Sequence, residues 1–531
     1  MKILLRRCSL LLILCLALAP LAVASAYDSN PKLVVVIIID QFRGDYLERI
    51  HSQLGQGGFR LFTDKGADFV NCAYEYANTE TAPGHATLFT GTYSNGHGIF
   101  ANEVWDEKNN TWVTAVSDPS TRVVGVPGGA ASASPHNLLT DTIGDELKLA
   151  THGRAHVYTI SLKDRASVLP AGFSADGAFW IDPASGAWIT STFYMKELPK
   201  WAQDYNAAGH ADKLWNQDWK DATGNVLQHT TRTPNARFYD VIGGTGLANE
   251  YELDFAQELI TNTNLGTGPA TDLLIVSLSA NDILGHRVGP DSLQMQGMWL
   301  DLDRQLANFF SFLGQRYGLA NVWLALSADH GVAPVPELAR EKERIEAGRI
   351  DTRSVIAKLN AAISARLRHA NAEFVHAGDY DFAHLFLTRE LFANANFSEA
   401  ESEHIVGEEA LKLGFSAYYT KVQLRDGAVA TDQVGRRFLH SYTPENGWWV
   451  LAEAPAFVMP GKSGTSHGSP YYYDRHVPLA FFGLPFEPGV YRDHCEPVDM
   501  VPTLSSLLGI NAPAKASGHV LTEALRKRSE Q

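Results

Sequence analysis

A threonine precedes a Pro-Gly step in the stretch 78–91, a pattern typical of an extended segment, a sharp break and the start of a helix. A hydroxyl at Thr81 would be exposed beside the backbone N–H groups of that helix, which attract anions. Threonine is a weak nucleophile at its ordinary pKa and needs a neighbouring base or metal ion to activate it. Taken alone, Thr81 is more typical of a helix cap, so the chemistry depends on what the rest of the chain supplies.

Acidic and imidazole side chains recur where apolar, strand-like runs end or in a glycine-rich loop. Mixed Asp and His ligation suits zinc, and two zinc ions about 3.5–4 Å apart are the usual device for in-line displacement at phosphorus. We therefore expect two Zn²⁺ per chain, one of which activates Thr81. The candidate ligands are Asp40, Asp282, His286, Asp329, His330 and His467.

The elements that must position these residues alternate between strands and helices. Buried-strand patterns cover 33–39, 156–160, 273–279, 322–326 and 477–482, and an amphipathic helix is expected over 302–313. The alternation predicts an α/β fold with a doubly wound, mostly parallel sheet flanked by helices. Two stretches without this pattern, at about 172–252 and 336–455, are predicted insertions, and we interpret the first, aromatic-rich one as a cap over the sheet.

The first residues have the features of an export signal. Lys2, Arg6 and Arg7 precede an apolar run, and Ala24-Ser25-Ala26 follows it, which predicts a signal peptide over 1–26 and a catalytic domain over 27–531. No later run has the roughly 18 apolar residues of a membrane span, so we expect a periplasmic or extracellular protein. Such a compartment permits a disulfide between Cys72 and Cys495, but the sequence leaves that pairing open.

The net charge of −15 makes nucleic acid and anionic membrane surfaces unfavourable partners. A site for phosphate esters on such a chain needs strong local positive charge. Lys163 and Arg165 follow the strand predicted at 156–160 and would bring two cations to the same sheet edge.

These motifs, in this order, resemble the alkaline phosphatase superfamily, and within it the secreted bacterial alkaline phosphatases with a threonine nucleophile, of the phosphate-irrepressible type. The motifs that carry the resemblance are the strand ending in Asp40, Thr81–His85, Asn102, Ser161–Arg165, Asp282-x-x-x-His286, Ser327–Gly331 and Gly464–Gly468.

The resemblance implies a role for each matching residue. Asp40, Asp329 and His330 would hold one zinc ion, which would also bind the Thr81 oxygen, and Asp282, His286 and His467 would hold the other. The non-bridging phosphoryl oxygens would be bound by Asn102, Lys163 and Arg165. These three residues and the nucleophile Thr81 would be the catalytic residues. The implied reaction is hydrolysis of phosphate monoesters through a phospho-threonine intermediate, and we expect a monomer.

Several other functions fit the sequence less well. Two cations and an amide suit the terminal dianion of a monoester better than a diester, so a phosphodiesterase or nucleotide pyrophosphatase is the alternative. Sulfatases need a Cys or Ser where this chain has Thr81. The G-x-S-x-G pattern around Ser466 follows a loop-like stretch, which argues against a serine hydrolase. A non-catalytic phosphate-binding protein would lack a ligand or the nucleophile, and this chain lacks neither.

Overall fold

The computed structural model of the chain describes residues 30–369, 372–378, 384–429, 433–444 and 447–526, and the predicted signal peptide (1–26) lies outside them. The strands are, in chain order, β1 (Leu33–Ile39), β2 (Ala67–Ala73), β3 (Glu103–Asp106), β4 (Thr111–Thr114), β5 (Ser117–Val124), β6 (Ala131–Ala133), β7 (Val157–Ser161), β8 (Gly177–Ile181), β9 (Trp188–Ser191), β10 (Asp218–Lys220), β11 (Val226–His229), β12 (Asp272–Leu278), β13 (Val322–Ser327), β14 (Gly348–Ile350), β15 (Val375–His376), β16 (His384–Leu387), β17 (Ala417–Thr420), β18 (Trp448–Glu453), β19 (Val458–Pro460), β20 (His476–Phe482) and β21 (Gly489–Tyr491).

The α-helices are, in chain order, α1 (Tyr46–Ile50), α2 (Arg60–Thr63), α3 (Thr81–Thr90), α4 (Ser94–His97), α5 (Ile143–Ala150), α6 (Asp164–Ala171), α7 (Lys200–Ala207), α8 (Phe238–Val241), α9 (Gly246–Asn262), α10 (Ala280–Val288), α11 (Leu293–Tyr317), α12 (Pro336–Leu338), α13 (Thr352–Arg366), α14 (Arg389–Asn394), α15 (Glu399–Lys412), α16 (Lys421–Arg425), α17 (Gln433–His440), α18 (Tyr472–Arg475) and α19 (Met500–Leu508). No helix among the described residues combines the length and apolar character needed to cross a membrane.

The seven apolar residues of β1 are all fully buried, which places this strand inside the large sheet. Within the described chain that sheet has the order β21-β2-β20-β13-β1-β12-β7-β8-β9-β5-β6. Its central strands β13, β1, β12, β7 and β8 are parallel, whereas β20, β9 and β5 pair antiparallel at the flanks. The predicted α/β fold with a mostly parallel sheet flanked by helices is confirmed.

The first stretch predicted as an insertion begins inside this sheet. Strand β8 is buried at every residue and pairs in parallel with β7, and β9 then pairs with β8 and β5. Its first part therefore extends the sheet, whereas we expected a cap over it. The later part holds the hairpin β10–β11 and the helices α7 and α8.

The second stretch forms a sheet of its own, with strand order β15-β16-β18-β17. Helices α13 and α15 contribute to a separate apolar cluster beneath it, which includes Leu359, Ile363, Val406 and Val450. This segment therefore buries an apolar core of its own, separate from the core of the main sheet.

Cys72 and Cys495 lie opposite each other between two short parallel segments. The N–H of Ala73 donates to the carbonyl of Cys495 at 3.1 Å, and the N–H of Cys495 donates to the carbonyl of Asn71 at 3.2 Å. Both thiols are buried and free. The fold therefore brings together, as neighbouring thiols, the two cysteines that follow the predicted signal peptide.

Candidate active site

Three ligand-type atoms converge where β1 and β13 end. His330 Nε2 lies 3.4 Å from Asp40 Oδ1 and 3.6 Å from Asp329 Oδ2. All three atoms are buried and have no hydrogen-bond partner among the described residues. Buried polar atoms without partners are costly unless another charge satisfies them. The arrangement fits a bound cation, and these donor types are those of zinc.

The remaining atoms of these three side chains are fixed by hydrogen bonds. Asp40 Oδ2 accepts from Lys163 Nζ at 2.5 Å. Asp329 Oδ1 accepts from the backbone N–H groups of Gln41 at 3.1 Å and His330 at 3.0 Å. His330 Nδ1 donates to the carbonyl of Gly331 at 2.9 Å. Each side chain is therefore held by one end and directs its other end into the same space.

A second group contains Asp282, His286 and His467. Since a carbonyl can only accept, the Nδ1 atoms of His286 and His467 donate to the carbonyls of Thr465 at 2.9 Å and Thr79 at 2.7 Å. Their Nε2 atoms lie 3.0 and 3.7 Å from Asp282 Oδ1. In the neutral form, imidazoles held in this way have an unprotonated Nε2, the form that binds metals; despite burial, the Asp282 carboxylate raises the pKa of His286.

His330 lies between the two groups. Its ring stacks on that of His467 with centroids 3.6 Å apart, and ligand atoms of Asp282, His330 and His467 lie within 4.8 Å of one another. His286 is farther out, with its ring centroid 5.0 Å from that of His467. All six predicted ligands are thus adjacent, while the division into two sets of three remains a prediction.

The electrostatics favour metal-binding protonation states for most of these side chains. Burial lowers the pKa of His330, and burial with the neighbouring His330 and His286 lowers that of His467 well below the usual range. Burial alone would raise the pKa of Asp282, but His286 and Lys163 hold it well below its usual range. Burial and the neighbouring Asp282 and Asp329 carboxylates raise the pKa of Asp40.

Thr81 is the first residue of α3 and is almost fully buried. Its Oγ1 lies 3.5 Å from Lys163 Nζ, which also donates to Asp282 Oδ2 at 2.6 Å. The prediction of a Pro-Gly break before the helix is wrong, because Pro83 and Gly84 belong to the first turn of α3. Proline is tolerated there because the N–H groups of a first turn have no partner within the helix. Glycine is required there because a Cβ on Gly84 would lie 2.3 Å from the Asp329 carbonyl oxygen.

Asn102 and Arg165 line the same cavity, with polar groups left to bind a ligand. Asn102 Oδ1 accepts from the backbone N–H of Ala82 at 2.8 Å, so its amide NH₂ group points elsewhere. The Arg165 side chain is 24% exposed and lies 3.8 Å from Asp164. Its buried Nε has no hydrogen-bond partner among the described residues. Both side chains therefore retain donors suited to phosphoryl oxygens.

The cavity measures about 990 Å³ and extends from the metal-ligand groups to the second sheet. Asp282, His286 and His467 line its inner end, and Trp112, Phe438 and Tyr471 are among the residues that line its walls. A phosphoryl group fills a small part of such a volume, so the cavity also has room for the group esterified to phosphate.

Comparison with known proteins assigns the chain to a family. Residues 34–384 match the family model described as type I phosphodiesterase/nucleotide pyrophosphatase. The chain belongs to this family.

Relatives of this family member share most of its length. It is 32% identical over 95% of its length to a protein of Myroides odoratus named calcium-transporting ATPase, of which it covers 96%. It is 31% identical to alkaline phosphatase PhoV of Synechococcus elongatus, with 94% of each chain covered. It is also 31% identical to alkaline phosphatase PafA of Elizabethkingia meningoseptica, with 93% of this chain and 95% of PafA covered. The crystal structure of PafA matches with a TM-score of 0.85 at 30% identity, covering 94% of this chain and 99% of that one.

The predicted resemblance to the alkaline phosphatase superfamily is therefore confirmed. Three residues of this family member's site were not predicted from the sequence. The backbone N–H of Gln41 donates to Asp329, and His85 contacts both Asp329 and the carbonyl of Thr81. In the sequence, only their closeness to Asp40 and Thr81 points to these two residues. Tyr239 lines the cavity beside Arg165 and Asp282. It lies in the predicted insertion, where no motif distinguishes it from the other aromatic residues.

Proposed function

We propose that this family member is an alkaline phosphatase that hydrolyses phosphate monoesters and releases inorganic phosphate. The observation that carries the proposal is the buried Thr81 hydroxyl beside Lys163, next to the two groups of converging metal-ligand atoms. The names of the relatives PafA and PhoV support the same activity.

Asp40, Asp329 and His330 would hold one zinc ion, and Asp282, His286 and His467 would hold the other, as the resemblance implies. Bound zinc would supply positive charge that favours the ionised form of a nearby hydroxyl and stabilises negative charge developing at phosphorus. The three partnerless buried atoms support the first assignment. The contacts of Asp282 Oδ1 with two Nε2 atoms support the second.

The protein groups act in two displacements. Thr81 Oγ1 loses its proton to solvent and attacks phosphorus in line, the bond to the ester oxygen breaks, and the leaving alkoxide takes up a proton from solvent. Water then loses a proton to solvent and attacks phosphorus of the phospho-threonine, the bond from phosphorus to Thr81 Oγ1 breaks, that oxygen is reprotonated, and phosphate leaves. Lys163, 3.5 Å from Oγ1, stabilises negative charge on that oxygen and on a non-bridging phosphoryl oxygen in both steps. Arg165 and Asn102 hold the non-bridging oxygens through the donors that the fold leaves open.

The three donors also bear on the choice between monoester and diester. A monoester dianion presents three non-bridging oxygens, whereas a diester presents two and less charge. Lys163, Arg165 and Asn102 match the former. The family description includes phosphodiesterases and nucleotide pyrophosphatases, so diester hydrolysis is the alternative. A non-catalytic phosphate-binding role is disfavoured because every residue that the reaction needs is present.

We further propose that the enzyme is exported, acts as a monomer, and has no specific nucleic-acid partner. The domain at 27–531, with the insertions at 172–252 and 336–455, remains a proposal as well. The pattern of residues 1–26 and the acidic charge support export and the absence of a nucleic-acid partner.

The decisive experiment compares 4-nitrophenyl phosphate with methyl 4-nitrophenyl phosphate, which have the same leaving group. We expect kcat/KM to be several orders of magnitude higher for the monoester. Activity should disappear after chelation and dialysis, and zinc should restore it. A higher kcat/KM for the diester would favour the phosphodiesterase, and full activity of zinc-free protein would refute the metal-dependent mechanism.

A further inference from the structure

Gln41 follows Asp40 at the end of β1 and is bonded to one carboxylate of each proposed zinc site. Its backbone N–H donates to Asp329 Oδ1 at 3.1 Å. Its side-chain Nε2 donates to Asp282 Oδ1 at 2.7 Å. The residue is fully buried. One residue therefore connects the two groups of ligands, through its backbone on one side and its side chain on the other.

The backbone of Gln41 lies in the left-handed region, with φ of 61°. A glycine would adopt this conformation with little strain, whereas any residue with a Cβ is disfavoured there. A strained residue persists where surrounding contacts hold it, and such residues cluster at functional sites. The contact with Asp282 is one that glycine could not make.

The orientation of the Gln41 amide follows from hydrogen-bond chemistry. An ionised carboxylate can only accept, so the NH₂ end of the amide must face Asp282. The other end packs against α10, because a Cβ built on Gly285 would lie 2.0 Å from Gln41 Oε1. Gly285 stands between Asp282 and His286 on that helix. The absence of a side chain at residue 285 therefore makes room for the amide beside the ligand that it contacts.

We propose that Gln41 is a positioning residue whose side chain fixes the Asp282 carboxylate for zinc, while its backbone N–H separately holds Asp329. This inference rests on the proposed function, because it assigns Asp282 and Asp329 to zinc. It predicts an asymmetry. Substitution of the side chain removes the bond to Asp282 but keeps the backbone bond to Asp329, so only one of the two zinc ions should bind more weakly.

The test measures zinc binding directly in the full-length mature protein. Metal-free wild type and Gln41→Met are titrated with zinc in competition with a chromophoric chelator, and bound metal is counted by elemental analysis. We expect two ions in the wild type. In Gln41→Met we expect one affinity to fall about 10–100-fold, the usual effect of losing a partner of a metal ligand, and the other to stay unchanged.

Two further variants separate positioning from folding. Gln41→Gly removes the same amide and suits the positive φ, so it should fold without backbone strain at this residue and lose the same affinity. Phe42→Leu changes the next buried residue, whose ring packs on those of Tyr46 and Trp299. It should keep both zinc affinities. Circular dichroism and thermal melting of the metal-free proteins verify that each variant is folded.

Each outcome tests either the positioning role of Gln41 or the two-zinc site on which that role rests. A weakened single site in both Gln41 variants, with Phe42→Leu unchanged, supports the inference. A wild type that binds two zinc ions and Gln41 variants with unchanged affinities overturn the inference alone, as does an equal loss at both sites. A wild type that binds fewer than two ions overturns the proposed two-zinc site and the inference with it.

Discussion

Replacing Arg165 by alanine should slow the hydrolysis of phosphate monoesters far more than that of diesters. The guanidinium retains a buried Nε without a hydrogen-bond partner among the described residues, and its ion-pair distance to Asp164 is 3.8 Å. It is therefore poised to form two charge-assisted hydrogen bonds with a phosphoryl group.

The magnitude follows from those bonds. A hydrogen bond to a charged group contributes about 1.5–3 kcal/mol, and 1.36 kcal/mol corresponds to a tenfold change in rate. Loss of two such bonds predicts a fall in kcat/KM of about 10²- to 10⁴-fold for the monoester. A diester has one charged oxygen fewer and should lose about one bond, a fall of about 10- to 100-fold.

The assay compares 4-nitrophenyl phosphate and its methyl diester in wild type and Arg165→Ala. Because Arg165 is partly exposed and its ion pair is long, we expect little change in folding stability. Arg287→Ala is the matched control, since Arg287 lines the same cavity but bonds to the carbonyl of Gly244 at 3.3 Å. Equal losses for the two substrates in Arg165→Ala would refute the inference that Arg165 forms one more bond with the monoester than with the diester.

Three other perturbations test separate parts of the structure. Thr81→Ala should reduce turnover at least about 10³-fold while leaving the zinc stoichiometry unchanged, because only the nucleophile is lost. Undiminished turnover would show that another group attacks phosphorus. Gly84→Ala should destabilise the protein by about 1–3 kcal/mol and reduce activity, since its Cβ would lie 2.3 Å from the Asp329 carbonyl oxygen. The control Gly268→Ala, whose Cβ would meet no atom within 4 Å, should do neither in thermal melts and rate assays. Burial raises the pKa of Asp68 to about 6 from 3.8, so the folded state favours the protonated acid and stability falls as pH rises from 4 to 7. Asp68→Asn should therefore increase the free energy of unfolding at pH 8 by up to ~3 kcal/mol, seen as a higher melting temperature, but not at pH 3. A rise of equal size at both pH values would contradict the assigned pKa.

The sequence predicted those strands whose local residue pattern matches their burial in the folded sheet. The run 33–39 is apolar throughout because both faces of β1 are covered, and its parallel partners β12 and β13 are also buried at every residue. Strand β8 has equally buried residues, yet we assigned it to an insertion. Its five residues lie in a region rich in Trp, Tyr and Asn, where composition hides a short strand and only pairing with β7 defines it.

The site shows a comparable division between local and tertiary information. The strand ends and the glycine-rich loop predicted six candidate metal ligands, and folding brings all six to neighbouring positions. Which nitrogen of each imidazole faces the site could not be predicted. That choice depends on the carbonyls of Gly331, Thr465 and Thr79, which are brought to the histidines by folding.

Gln41 shows most directly what the sequence lacked. Next to Asp40 it reads as an ordinary polar residue after a strand, and its propensities do not predict a positive φ. Its significance arises from Asp282 and Gly285, more than 240 positions later in the chain. Asp282 provides an acceptor, and Gly285 provides the space in which the amide lies. A residue that positions ligands of two sites is defined by contacts among distant segments, so zinc-binding measurements on Gln41 variants test the structure itself rather than the motifs.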